Sequence, residues 1–115
     1  MKILITGSAH GIEDNKILNA LRPFTSVHPV LVHGNAMGVE KQIYQISKKL
    51  KLKSRRCHTS SWSITKNRTR SIVEMNHSQD DPLLACYVFG VIDQYQIEYI
   101  TRECKRYKIP VIYVL

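Results

Sequence analysis

The residues MKILITGSAHGIE join a short run of aliphatic side chains directly to a glycine turn and then to a helix-forming stretch, and PVLVHGNAMGVEK repeats the arrangement. An uninterrupted apolar run is the pattern of a strand covered on both faces, so each unit reads as a parallel strand, a tight turn and a crossover helix. Glycine at Gly7 or Gly34 leaves the neighbouring backbone N–H groups open to approach. The helix behind each turn adds the positive end of its dipole, and an anion suits such a place. Two of these units in 115 residues imply a phosphate-binding α/β domain.

The rest of the chain continues the alternation. Helices are expected over residues 13–21, stopping before Pro23, and over residues 39–50, where Val39, Ile43, Ile46 and Leu50 carry the helical period. Residues 30–32 form the second strand and residues 53–57 a more polar third, suited to a sheet edge. A hydroxyl-rich loop with Trp62 at its centre, residues 59–67, leads to a short helix over 68–76. A buried strand at 83–89 and a last strand at 110–115 flank a helix at 94–107. Five strands and about four helices, with no linker or repeat, make one minimal doubly wound Rossmann-like domain, residues 1–115, of strand order 3-2-1-4-5. Ligands of such sheets bind at the carboxyl ends of the strands where the order reverses. That places Gly7 and Ser8 opposite Gly90, with the Gly34 and Gly38 turn alongside.

Composition narrows the function classes. The net charge is +8, and residues 41–70 hold ten Lys and Arg and no acid. A one-signed segment of that length favours a phosphate-rich partner. Cys57, Cys86 and Cys104 are widely spaced, and the five histidines show no paired spacing. Reduced thiols and no metal site follow. No apolar run is long enough to span a membrane and no signal-peptide layout opens the chain, so a cytoplasmic protein is expected. The first turn has neither the closing GK[ST] of a Walker A loop nor the chain length that a short-chain dehydrogenase needs around Tyr44-x-x-x-Lys48.

Taken in order, KILITGSAHG, VHGNAMGVEK, CHTSSW, RTRSIV, DDPLLACYVFG and YKIPVIYV resemble the small single-domain branch of the SLOG superfamily. That branch is similar to the lysine-decarboxylase-like (LOG) phosphoribohydrolases and to the Rossmann-like domain of DNA-processing protein A. The resemblance implies a nucleotide-binding sheet. It carries ligand contacts onto Gly7 and Ser8 in the first turn, His33, Gly34 and Gly38 in the second, His58 and Trp62 in the loop, Arg68 and Arg70 at the following helix, and Gly90 after the fourth strand. The chain departs from the pattern at Ala9, Asn35, Met37, Glu40 and Thr69. After strand four, GVIDQYQIE lacks the family's GGxGT turn. By the same resemblance Glu98 lies nearest the acid of the LOG enzymes, with Asp93 as the alternative; Glu98 otherwise pairs with Arg102 one turn on.

These readings lead first to a domain that binds a phosphorylated, nucleotide-derived small molecule without cleaving it, as a sensor or a sequestering protein. Backbone turns and the Arg68/Arg70 pair would hold phosphate. The alternatives are a nucleotide N-glycoside hydrolase using Glu98 or Asp93, and a single-stranded nucleic-acid binder using the basic segment. No cofactor is called for. A homodimer is expected in each case, because the last strand exposes an apolar edge.

Overall fold

A computed structural model describes residues 1–34, 38–57, 73–74 and 76–115. Five parallel strands form one sheet: β1 (Lys2–Gly7), β2 (Val30–His33), β3 (Ser54–Arg56), β4 (Leu83–Phe89) and β5 (Val111–Val114), in the order β3-β2-β1-β4-β5. Three α-helices lie among the described residues, α1 (Asp14–Leu21), α2 (Val39–Leu50) and α3 (Gln94–Arg106). The helix expected over residues 68–76 falls outside the described residues except at Val73, Glu74 and Asn76, which are helical.

The alternation along β1 explains why the sheet is covered on both sides. Ile3 and Ile5 pack with Ile17, Leu21, Val39, Ile43 and Ile46 under α1 and α2. Leu4 joins Val88, Ile100 and Cys104 on the opposite face, under α3. Burial of each such aliphatic side chain contributes about 1.5–3 kcal/mol, so a polar residue at any of these positions would break the layer. The first two helices therefore cover one face and α3 the other, and the order reverses between β1 and β4.

Local boundaries shifted where backbone chemistry allowed it. Helix α1 ends at Leu21 as its sequence indicates, but the chain continues as a 3-10 helix over Arg22–Val27 with Pro23 in its first turn. Proline's fixed φ suits that position, and its missing N–H is not needed there. Strand β2 runs one residue further than expected, to His33, because that residue still pairs in register with Ile5 of β1 and Arg56 of β3.

At the amino ends of the strands Lys2 is buried, and its ammonium lies 3.3 Å from Asp81, which also accepts from the Met1 ammonium at 2.7 Å. The hydrogen bond from the chain's amino group, helped by Lys2, holds the Asp81 carboxyl below its ordinary range despite the opposing effect of desolvation. Cys57, Cys86 and Cys104 are free and buried. Contact with Cys104 and then burial push the Cys86 thiol up, so it stays protonated. Among the described residues no helix is long and apolar enough to cross a membrane.

Candidate functional site

Three turns meet at the carboxyl end of the sheet, and Ser8 is their common point. Its N–H donates to the Phe89 carbonyl of β4 at 2.9 Å, and its own carbonyl accepts from Val39 N–H at the start of α2 at 3.0 Å. Gly7 and Gly38 are glycine because of this crossing. A Cβ on Gly7 would overlap the Phe89 carbonyl, and one on Gly38, at φ +80°, would overlap the Ser8 carbonyl. Gly90 faces the same point: a Cβ there would stand 3.0 Å from the Ser8 side chain, and its N–H donates to Val114 at 2.7 Å. These glycines let chain approach chain.

The first turn is closed on itself. His10 N–H donates to the Ser8 hydroxyl at 3.1 Å, and Gly11 N–H to the Ser8 carbonyl at 3.1 Å. The Gln42 amide pairs with both backbone groups of Ile12, accepting its N–H at 3.1 Å and donating to its carbonyl at 2.7 Å. Gln42 also donates to Asp14 at 2.9 Å. An anion cradle needs N–H groups without protein acceptors, and here those of Ser8, His10, Gly11 and Ile12 have them.

The second turn differs. His33 ends β2, is 3% exposed, and bonds through Nδ1 to the Gly34 carbonyl at 2.8 Å. A carbonyl only accepts, so Nδ1 carries the hydrogen. Nε2 is buried with no hydrogen-bond partner among the described residues. Gly38 is the N-cap of α2 and supplies no side-chain cap; the first N–H of the helix, that of Val39, is held by the Ser8 carbonyl.

Two residues not expected in the site stand beside it. Glu40, in the first turn of α2, is 3% exposed and accepts from the Thr6 hydroxyl at 3.3 Å. Arg56 closes β3 level with His33, is exposed, and has no acidic partner among the described residues. An acid at the start of an apolar helix was the available signal for Glu40. Arg56 was visible only as one charge in a basic run, and nothing in the sequence marked Gln42.

The acids carried over from the resemblance stand elsewhere. Asp93 is the N-cap of α3, where its side chain accepts from Gln96 N–H at 2.8 Å. Glu98 is exposed on α3, and no ion pair joins it to Arg102 among the described residues. Thus the structure gathers Gly7, Ser8, Gly38 and Gly90 and places His33 and Gly34 next to them. Trp62, Arg68, Arg70 and His58 lie outside the described residues. No group of three or more potential metal ligands occurs among the described residues. No family profile, curated protein or solved structure matches the chain.

Proposed function

We propose that this protein binds a phosphorylated, nucleotide-derived small molecule at the carboxyl end of its sheet, and that it holds the ligand without cleaving it. One observation carries the reading. Beside the reversal of strand order, where open α/β sheets take their ligands, His33 keeps a buried Nε2 with no hydrogen-bond partner among the described residues, a few residues before the start of α2. Buried polar atoms are nearly always paired, so an orphan at such a position points to a group that arrives from outside. The basic composition supports an anionic ligand. Holding without cleavage is supported by Asp93, whose carboxylate is engaged in capping, and by Glu98, which lies exposed.

A thermal-shift screen against nucleoside mono- and diphosphates, dinucleotides and ADP-ribose, with chromatography of each stabilising compound after incubation, tests it. A ligand at a hundred times its dissociation constant should stabilise the fold by about 2.7 kcal/mol and be recovered intact. No stabilisation by any of them, together with salt-sensitive binding of single-stranded DNA, would replace this reading with a nucleic-acid surface.

A second reading, hydrolysis of an N-glycosidic bond, is favoured by Glu40, a carboxylate held at the mouth of the same turn by Thr6. General-base work needs a carboxylate within reach of the attacking water. It predicts free base in the chromatogram and its loss in Glu40→Gln.

A further inference from the structure

The two edges of the sheet differ in how their main chain is protected. At one side β3 is three residues long, and Lys53, Arg55 and Arg56 are exposed on and just before it. Shortness and charge are devices by which an edge strand refuses a neighbour. At the other side β5 lies within PVIYVL, residues 110–115, which carries no charge.

The hydrogen bonds to β4 show which groups of β5 are left over. Cys86 N–H donates to the Pro110 carbonyl at 2.8 Å and Gly90 N–H to the Val114 carbonyl at 2.7 Å, so residues 110, 112 and 114 turn their main chain toward β4. Alternation along the strand turns the N–H and C=O of Val111 and Tyr113 outward, and these groups have no hydrogen-bond partner among the described residues. Pro110 does not block this edge, because the N–H it lacks would face β4. The Tyr113 side chain does not cross it either, since its hydroxyl lies 3.4 Å from that of Thr101 on α3.

Charge says which partner can approach. Residues 41–70 hold ten Lys and Arg and no acid, and the remainder of the chain has seven Lys and Arg and nine acids. The described members of that basic run, Lys41 to Arg56, lie on or between α2 and β3. Strand order sets β3 at the opposite edge from β5. In a sheet continued through two β5 strands, the two β3 edges stand about 43 Å apart at the usual strand spacing. That is roughly five Debye lengths at physiological salt. Self-repulsion thus favours this contact over any that brings α2 or β3 of two copies together.

We infer that two copies of this chain join β5 to β5, antiparallel, in one ten-stranded sheet whose two-fold axis passes Ile112. In antiparallel pairing the residues with outward groups must meet, so Val111 of each copy bonds both ways with Tyr113 of the other, and Ile112 stands opposite itself. A register with Tyr113 opposite itself would call on the Leu115 carbonyl, which already accepts from Lys16 at 3.2 Å. One with Val111 opposite itself would call on Ile109, whose N–H donates to Cys104 at 2.8 Å. The register at Ile112 spends only free groups. It sets the half-buried Ile112 and Val111 beside Ile112 and Tyr113 of the second copy, the β-branched and aromatic pairs that stabilise a sheet. None of this rests on the ligand proposed above.

Sedimentation velocity of the full chain over a hundredfold range of concentration should show a monomer–dimer equilibrium. Ile112→Lys and Ile112→Glu should each lower the association constant tenfold or more, since like charges then stand directly opposite. An equimolar mixture of the two should regain the dimer. A monomer at every concentration would overturn the inference and leave the edge to an extended segment of another protein. A dimer that survives both variants, or a mixture that stays monomeric, would overturn it as well. Should circular dichroism show that either variant fails to fold, hydrogen exchange in the unaltered protein decides. The amides of Val111 and Tyr113 should then exchange tenfold or more slowly at the highest concentration than at the lowest, with those of β3 unchanged, and exchange at β5 that ignores concentration overturns the pairing.

Discussion

The two glycine turns of this chain look alike as sequence and behave differently as structure. At the first, the backbone N–H groups of Ser8, His10, Gly11 and Ile12 all find acceptors within the protein, two of them on Ser8 itself and one on Gln42. At the second, a buried imidazole nitrogen has no partner among the described residues and the N-cap of the helix that follows supplies no side-chain cap. Glycine marks both because it admits close approach, and it does not say what approaches. At Gly7 and Gly38 the visitor is another stretch of backbone. The first turn is a clasp that fixes the start of α2 against β1 and β4. Beside the second lies the buried His33 nitrogen, and the proposed binding site is there.

The largest expected effect separates glycines that carry the clasp from one that merely bends. Gly38 and Gly11 have similar positive φ angles, +80° and +76°, but a Cβ at Gly38 meets Ser8 and Ala9 backbone, while one at Gly11 meets only the far end of the Gln42 side chain. Gly38→Ala should therefore lower unfolding free energy by about 3 kcal/mol or more, the sum of left-handed strain and overpacking. Gly11→Ala should cost about 1–2 kcal/mol, mostly strain. Urea unfolding of both variants checks the ordering, and equal losses would show that the crossing at Ser8 is not what demands glycine.

Next in size is the amide that shuts the first turn. Gln42→Ala should destabilise by about 1–3 kcal/mol, since it leaves the Ile12 backbone groups unpaired, and should speed hydrogen exchange at Ile12. Affinity for any stabilising nucleotide should change by less than twofold. A large loss of affinity instead would bring the first turn back into the site.

Asp93→Ala removes the α3 cap and should cost about 1 kcal/mol, again with no change in nucleotide binding or recovery. The smallest effect belongs to the far end of the sheet. The Asp81 carboxyl is held below its ordinary value in the folded protein by the Met1 ammonium and Lys2. It therefore contributes stability at pH above its unfolded value of about 4, and the contribution is lost as pH falls through the depressed folded value. Unfolding curves between pH 6 and pH 2 should show a shallower acid loss in Asp81→Asn than in the parent, and superimposable slopes would remove the pairing from the account.

The fold was legible because its signals are local and repeated. The run at Ile3, Leu4 and Ile5 can only be a strand buried on both sides, and Val39, Ile43 and Ile46 fix which face α2 presents. The strand order and its reversal came with the doubly wound class these elements indicate, and the sheet has that order. Boundaries were less legible where one residue's register decides, as at His33, or where a proline suits a tighter helix, as at Pro23. The site was legible as a place and not as a set of bonds. The glycines at the strand ends were legible, but whether a given N–H is free depends on partners thirty residues away, as the Gln42 and Ile12 pair shows. Asp93, carried over as an alternative acid, also caps α3, which the sequence did not mark. Arg56 and Glu40 became informative only when the register placed one level with His33 and the hydrogen bond to Thr6 placed the other.

The most direct test of the contrast between the turns is a ¹H–¹⁵N titration of the labelled protein with whichever nucleotide stabilises it most. The account predicts that the amides of Gly34, Gly38 and Lys41, with the side-chain signals of His33 and Arg56, move together and saturate, while the amides of Ser8, His10, Gly11 and Ile12 move little. Saturating shifts concentrated at Ser8 to Ile12, with the second turn unmoved, would contradict it.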